Sequence, residues 1–488
     1  MHFLLIIFPA HGHINPALQF AKRLIAMGAH VTIPITLHMQ RRVTNKITIP
    51  GLSFLPFSDG FDAGYTPVDD EAGYMFYMSE LERHGSEFVT SLIVSSADEG
   101  RPFTCLTYTL LVPWAPKVAR GFNLPSAMLW IEPATVLDIF YYYFHGYADC
   151  INDKTKEDSL CSMALPGLPF LLSAHDIPSF LLVWKSSVFS YVLRSFEEQI
   201  QQLDLEAKPT VLVNTFEALE AEALRAVDGF NMIPIGPLLP SAFVDGKDPS
   251  DTSFGGDLFP VSDDCVEWLN SKPEKSVVYV SFGSYFELSR MQMEEIARAL
   301  LDCGSPFVWV LREKEKADKL SCGEELRKRG KIVTWCSQVE VLAHGSVGCF
   351  LTHCGWNSTV ESLVCGVPMV AFPQWMDQKT SAKLIEDVWK VGVRVDLLVN
   401  EEGTVEGKEI KECLKVVMES GEKGNELRMN AKKWKGLARE AAKEGGSSEK
   451  NLRAFMDGVG QKFQKSKFHP LLRSSLQQPL AHSELVLL

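Results

Sequence analysis

Between Trp335 and Gln378 the chain reads WCSQVEVLAHGSVGCFLTHCGWNSTVESLVCGVPMVAFPQWMDQ, and no other stretch is as dense in groups suited to phosphate, sugar or a flat base. Its middle, Gly348 to Thr352, is a short apolar run that reads as a buried strand. His353, Cys354 and Gly355 follow as a tight turn in which glycine supplies backbone freedom. A helix is expected from about Trp356, with Asn357 and Ser358 as capping-type residues. A strand, a small-residue turn and a helix start aim unpaired backbone N–H groups and the positive end of the helix dipole at one point, which makes an anion site. His353, Asn357 and Ser358 add side-chain donors there. Glu361, one turn beyond Asn357, places a carboxylate where other nucleotide folds hold ribose hydroxyls. Val367 to Phe372 repeats the pattern, and the polar loop Pro373 to Gln378 follows it. Parallel strands would bring both loops to one crevice, with Asp377 and Gln378 suited to sugar hydroxyls. Upstream, Trp335 closes a strand expected over Lys331 to Thr334 and offers a face for a flat base.

A second candidate stands near the start. His2 to Phe8 reads as a strand, and His13 sits in the turn after it. A helix is expected from Ile14, with Pro16 tolerated in its first turn. The positive end of that helix would lower an imidazole's pKa and keep it neutral, ready to take a proton. His11 and His13 have the spacing of a metal pair, but no third ligand is evident nearby. The chain has no Asp-x-Asp metal clamp. It has no Gly-x-Gly-x-x-Gly after a strand either, which weakens a dinucleotide-dependent oxidoreductase.

The elements that must carry these groups alternate. Strands are expected at Val31 to Ile35, Thr104 to Tyr108, Ser126 to Trp130, Val211 to Asn214 and Met232 to Ile235, with a helix around Pro113 to Arg120. Such alternation means a parallel sheet covered on both faces. At 488 residues the chain is too long for one ordinary core. The segment from Gly236 to Ser262, rich in Pro, Gly, Asp and Ser, reads as linker. A second alternating domain begins near Asp263. Its first strand is Val277 to Ser281, ending in the turn Phe282-Gly283-Ser284, and the next is Phe307 to Leu311. Ser289 and Gln292 can form a capping box for a helix that Gly304 ends. The expected division is therefore 1–240, a linker 241–262, 263–443, a helix over 444–460 and a disordered tail over 461–488.

Composition narrows the function. A net charge of −13 argues against nucleic acid or an acidic membrane surface as partner. The 11 cysteines are odd in number and dispersed, which fits free thiols in a reducing compartment. No run of 18 apolar residues spans a membrane, and the apolar run Phe3 to Pro9 is too short for a secretory signal. A cytoplasmic monomer is the expectation.

The run from 335 to 378 resembles the plant secondary-product glycosyltransferase box of the plant UDP-sugar-dependent glycosyltransferases, family 1, whose members invert. The resemblance implies a GT-B fold: two doubly wound Rossmann-like domains face a cleft, the second holding UDP-sugar and the first the acceptor. It implies that Trp335 stacks on uracil, and that Gln338 and Glu361 hold the ribose. His353, Asn357 and Ser358 would bind the diphosphate, approached by Gly283 and Ser284. Trp356, Asp377 and Gln378 would contact the sugar, with Cys336 and Gly355 counted in the donor-binding set. A final Gln378 resembles the glucose-using members. Gly12-His13-Ile14-Asn15-Pro16 matches the family's signature around its catalytic base. The stretch from Glu444 to Phe455 resembles the family's last helix, which returns to the first domain.

Two departures stand out. Ser337 replaces the family's usual Pro, which touches loop stiffness. Thr109 occupies the slot where an Asp usually orients the catalytic His and balances its charge. His13 should then be a weaker base, which matters for a phenol and little for a carboxylic acid already ionised at neutral pH. The surrounding TYTLLVPWAPKVAR resembles the branch containing glucosyl-ester formers on auxin-like or apocarotenoid acids and anthocyanin 5-O-glucosyltransferases. The expected function is inverting, metal-independent and cofactor-free transfer of glucose from UDP-glucose to a small hydrophobic acid. The alternatives are O-glucosylation of a flavonoid or anthocyanin hydroxyl, or a catalytically inactive UDP-sugar-binding protein.

Overall fold

A computed structural model of the chain describes residues 1–43, 49–65, 71–157, 162–182, 187–252, 254, 264–284, 287–312, 320–400 and 403–467. Much of the expected linker (253 and 255–262) and the tail 468–488 lie outside the described residues.

The first sheet contains β1 (His2–Ile6), β2 (His30–Thr36), β3 (Leu52–Phe57), β4 (Cys105–Thr109), β5 (Ser126–Trp130), β6 (Thr210–Val213) and β7 (Asn231–Pro234). The second contains β8 (Val277–Ser281), β9 (Phe307–Val310), β10 (Lys331–Val333), β11 (Val347–Thr352), β12 (Met369–Ala371) and β13 (Gly392–Arg394). Their spatial orders are β3-β2-β1-β4-β5-β6-β7 and β10-β9-β8-β11-β12-β13, and every pairing is parallel. Central strands such as β1, β4 and β8 are apolar because helices cover both faces, so both side-chain sets are buried. β3 and β13 escape that rule. β3 is an edge strand that carries Pro56 and is buried only in part, and β13 has three residues.

The helix Arg290–Cys303 starts and ends as its sequence implies, but half of the capping box is missing. Ser289 Oγ accepts from Gln292 N at 3.1 Å, and Gly304 closes the helix in the left-handed region. The Gln292 side chain instead pairs with the backbone of Val405 through both its amide atoms. A full side-chain/backbone pair in the core outweighs a return bond at the surface.

The last helix runs Ser447–Lys467, so residues 461–467 are helical where a disordered tail was expected. Leu452, Met456 and Val459 are buried in the first sheet's core, and Asn451 Nδ2 donates to Pro234 O at 2.9 Å. Each such apolar side chain contributes about 1.5–3 kcal/mol when fully buried. This helix is thereby bound to the first half of the molecule. Among the described residues no helix is long and apolar enough to cross a membrane.

Candidate active site

Both sheets place their chemistry at a switch point. Chain order reverses between β1 and β4 in the first sheet and between β8 and β11 in the second. Loops leaving such a pair diverge and open a crevice at the carboxyl edge. His13 follows β1 and Thr109 ends β4, while Gly283 and Ser284 follow β8 and His353 follows β11. The two crevices meet. His11 lies edge-on to Trp335 with ring centroids 5.7 Å apart.

The helix after β1 begins at His11 rather than Ile14, so His13 lies in its first turn. Pro16 then stands in the second turn, where its missing N–H leaves the Gly12 carbonyl without the usual helical donor. Asn357 supplies that donor from across the cleft, with Nδ2 2.9 Å from Gly12 O.

The His13 ring is 8% exposed, and its Nδ1 lies 3.0 Å from Thr109 Oγ1. The same hydroxyl accepts from Phe8 N at 3.1 Å and lies 3.5 Å from Leu110 O. A hydroxyl has one proton and two lone pairs. All three contacts are met together when it donates to Leu110 and accepts from Phe8 N–H and His13 Nδ1–H. That tautomer leaves Nε2 as the basic nitrogen. Burial pushes the His13 pKa down to about 3.

The turn after β11 differs from its expected form. The left-handed residue is Cys354, at φ 68°, whereas Gly355 has an ordinary φ of −58° and is the helix N-cap. Glycine is needed there for space: a Cβ at Gly355 would sit 2.6 Å from His353 Nε2, and one at Gly283 would sit 2.7 Å from it. The imidazole is therefore held in a notch between two bare backbones. Burial lowers its pKa to about 4, opposed by a hydrogen bond with the Ser281 backbone. Ser284 O accepts from Arg312 Nη1 at 2.7 Å.

Asn357 and Ser358 are not caps. They lie inside the helix Trp356–Cys365, which has no side-chain cap. Ser358 Oγ accepts from Gln338 Nε2 at 2.8 Å, and Glu361 Oε2 accepts from the same nitrogen at 2.9 Å. Tyr279 on β8, missed in the sequence, completes the set by donating to Gln338 Oε1 at 3.1 Å. A tyrosine inside the otherwise aliphatic VVYVS was the available signal, because a buried hydroxyl needs a partner.

The structure does not bring every candidate into the cleft. The Trp356 indole is buried, its Nε1 donating to Asn214 O at 2.9 Å and its ring 6.0 Å from that of Trp389. Its backbone N–H bonds to Asp377. The Cys336 thiol likewise turns inward, 3.5 Å from the Tyr279 hydroxyl. Gln378 Oε1 accepts from Gln374 N and Trp375 N at 2.9 and 3.1 Å, which leaves its NH2 group as the part to offer a ligand. A second group missed in the sequence clamps this loop. Ser179 exchanges two bonds with Met376, at 2.7 and 3.0 Å, and Arg394 Nη1 reaches Asp176 Oδ1 at 2.8 Å. Met376 itself is strained, at φ 60°.

Glu361 makes a testable site. It is buried, and burial raises its pKa to about 7 against the opposing bond from Gln338. Ribose hydroxyls donating to the carboxylate would favour its charged form. UDP binding at pH 7 is therefore expected to release protons, with affinity rising as pH climbs to about 7 and levelling off above it. Calorimetry in buffers of different ionisation heat reads this, and Glu361→Gln should abolish the release. Proton-neutral binding by the wild type would remove Glu361 from the ribose site.

Comparisons with known proteins place this geometry. Residues 170–431 match the model of the family described as UDP-glucoronosyl and UDP-glucosyl transferase. The chain is 57% identical to phloretin 4'-O-glucosyltransferase of Malus domestica over 94% of its length and 97% of that protein. It is 56% identical to the chloroplastic crocetin glucosyltransferase of Gardenia jasminoides over 95% of its length and 98% of that protein. The crystal structure of Os79 from O. sativa in complex with UDP superposes with a TM-score of 0.80 at 33% identity, covering 94% of this chain and all of that one.

Proposed function

The chain belongs to the UDP-glucoronosyl and UDP-glucosyl transferase family, as a plant-type UDP-dependent glucosyltransferase of GT-B fold, and on that premise we propose that its acceptor is a carboxylate and its product a glucose ester. One observation carries the reading: His13 Nδ1 rests on the Thr109 hydroxyl at 3.0 Å, not on a carboxylate. A hydroxyl orients the ring but cannot balance the charge of an imidazolium. With its pKa near 3, His13 is a poor acceptor for a phenol's proton. An ionised acid has no proton to give.

In this reading UDP-glucose lies along the second crevice. Trp335 stacks on uracil. Gln338 and Glu361, held by Tyr279, take the ribose. Gly283, Ser284, His353, Asn357 and Ser358 meet the diphosphate at the N-terminus of the helix Trp356–Cys365, which stabilises departing UDP without a metal. Asp377 and the Gln378 NH2 take sugar hydroxyls, joined by the backbone of Trp356 and Gly355. The acceptor oxygen attacks the anomeric carbon in line and forms the new C–O bond. The bond to the phosphate oxygen breaks on the opposite face, and its electron pair leaves with UDP, inverting the centre. Cytoplasmic residence belongs to the same proposal, supported by the odd, dispersed cysteines.

A second reading, O-glucosylation of a flavonoid-type hydroxyl, is favoured by the 57% identity to the enzyme named for phloretin. Product lability separates the two. With a panel of acids and phenols, the major product is expected to be cleaved by mild hydroxylamine, as an acyl glucose is. Hydroxylamine-stable products alone would favour the phenol.

A further inference from the structure

The loop that carries Asp377 and Gln378 is gripped from the other half of the molecule. Met376, the residue before them, has φ 60°. A methionine in that region is strained, and such strain persists only where its surroundings enforce it. Two bonds hold it there. Met376 N donates to Ser179 Oγ at 2.7 Å, and Ser179 N donates to Met376 O at 3.0 Å. A second grip closes the loop from its far side, where Thr380 Oγ1 donates to Asp176 O at 2.7 Å. Asp377 and Gln378 lie between the two. The segment that supplies both grips is itself fixed. Ser179–Leu181 form a buried 3-10 turn, and the Phe180 ring lies 5.8 Å from that of Phe196 and 6.0 Å from that of Trp375. The Asp176 carboxylate accepts from Ser173 N and Oγ at 2.9 and 2.7 Å and from Arg394 Nη1 at 2.8 Å. Met376 also packs against the core of the first sheet.

We propose that Ser179 is a positioning residue of the transfer reaction: it holds Met376 in the left-handed region and so sets the direction in which Asp377 and Gln378 meet the hexose. This rests on the reading that those two residues take hydroxyls of glucose carried by UDP. The inference follows from where the strain sits. A loop with no demand on its geometry would place glycine at φ 60°, because glycine enters that region without steric cost. This chain keeps methionine there and supplies the compensating bonds from a segment about 200 residues away in sequence. Without the Ser179 hydroxyl, Met376 N–H loses its acceptor and its backbone is free to fall back to negative φ. The peptide that leads into Asp377 then turns, and Asp377 and Gln378 turn with it. The groups assigned to uracil, ribose and diphosphate stand on other loops and stay in place. Ser179 therefore acts through Met376 on the sugar alone.

The test compares the wild type, Ser179→Ala, Met376→Gly and the double variant, with UDP, UDP-glucose and UDP-galactose, which differs in the direction of one hexose hydroxyl. Ser179→Ala is expected to raise the UDP-glucose KM roughly tenfold, the loss expected when a buried N–H is left without its acceptor, while the UDP dissociation constant stays put and reports on folding. The preference for UDP-glucose over UDP-galactose should shrink in the same variant. Met376→Gly should rescue it: glycine holds the left-handed backbone unaided, so the double variant should recover most of the donor KM and of the preference. A merely structural role for Ser179 would not be repaired by a change that removes a side chain. An unchanged donor KM in Ser179→Ala, a UDP affinity that falls along with it, or losses in the two single variants that simply add would overturn the proposal. A wild type that turns over no UDP-glucose would overturn the donor reading beneath it, and the proposal with it.

Discussion

His13→Ala is expected to slow transfer to phenolic hydroxyls by about 10²-fold while leaving UDP binding intact, the low end of the range that a positioned general base contributes, because His13 is a weak base. Ionised acids should lose much less, since His13 has no proton to remove from them. The pH profile carries the same information. Because burial lowers the His13 pKa to about 3, the basic form persists as pH falls, and the acid limb of kcat/KM should lie far below pH 6.5. Thr109→Asp would place an anion against Nδ1 and stabilise the imidazolium. That raises the His13 pKa, moves the acid limb upward and helps phenols more than acids. A His13→Ala enzyme that binds UDP and glucosylates phenols at the wild-type rate would show that His13 is not the base.

Gly355→Val should weaken UDP binding by about 10–100-fold, the loss expected when a hydrogen bond to a charged group is removed. The backbone at Gly355 suits any residue, so the effect is one of contact. A Cβ there meets His353 Nε2 at 2.6 Å, and Gly283 blocks retreat from the other side. His353 must leave its notch. A double-mutant cycle checks this: in a His353→Ala background Gly355→Val should cost little more. Equal losses in both backgrounds would mean that the valine acts on the phosphate site itself.

The amino-acid sequence determined the type of fold and which candidate site groups stand together in the chain, for a physical reason. Parallel strands covered on both faces must be apolar throughout, so β1, β4, β8 and β11 announce themselves as runs, and the anion sites must follow them directly in the chain. The cluster from Trp335 to Gln378 was legible because its members are neighbours in sequence. What lay across the cleft was not. The Asn357 bond to the Gly12 carbonyl joins groups 345 residues apart, and it exists because Pro16 withholds an N–H. Side-chain direction was also hidden: Trp356 and Cys336 carry the right names, yet their side chains turn into the core. The sequence put glycine in the turn after β11. Only the tertiary structure showed that Gly355 makes room for His353 while Cys354 takes the strained backbone. Local pattern encodes elements and the groups they carry. Long-range packing decides which of those groups meet, which are desolvated, and so which pKa values move.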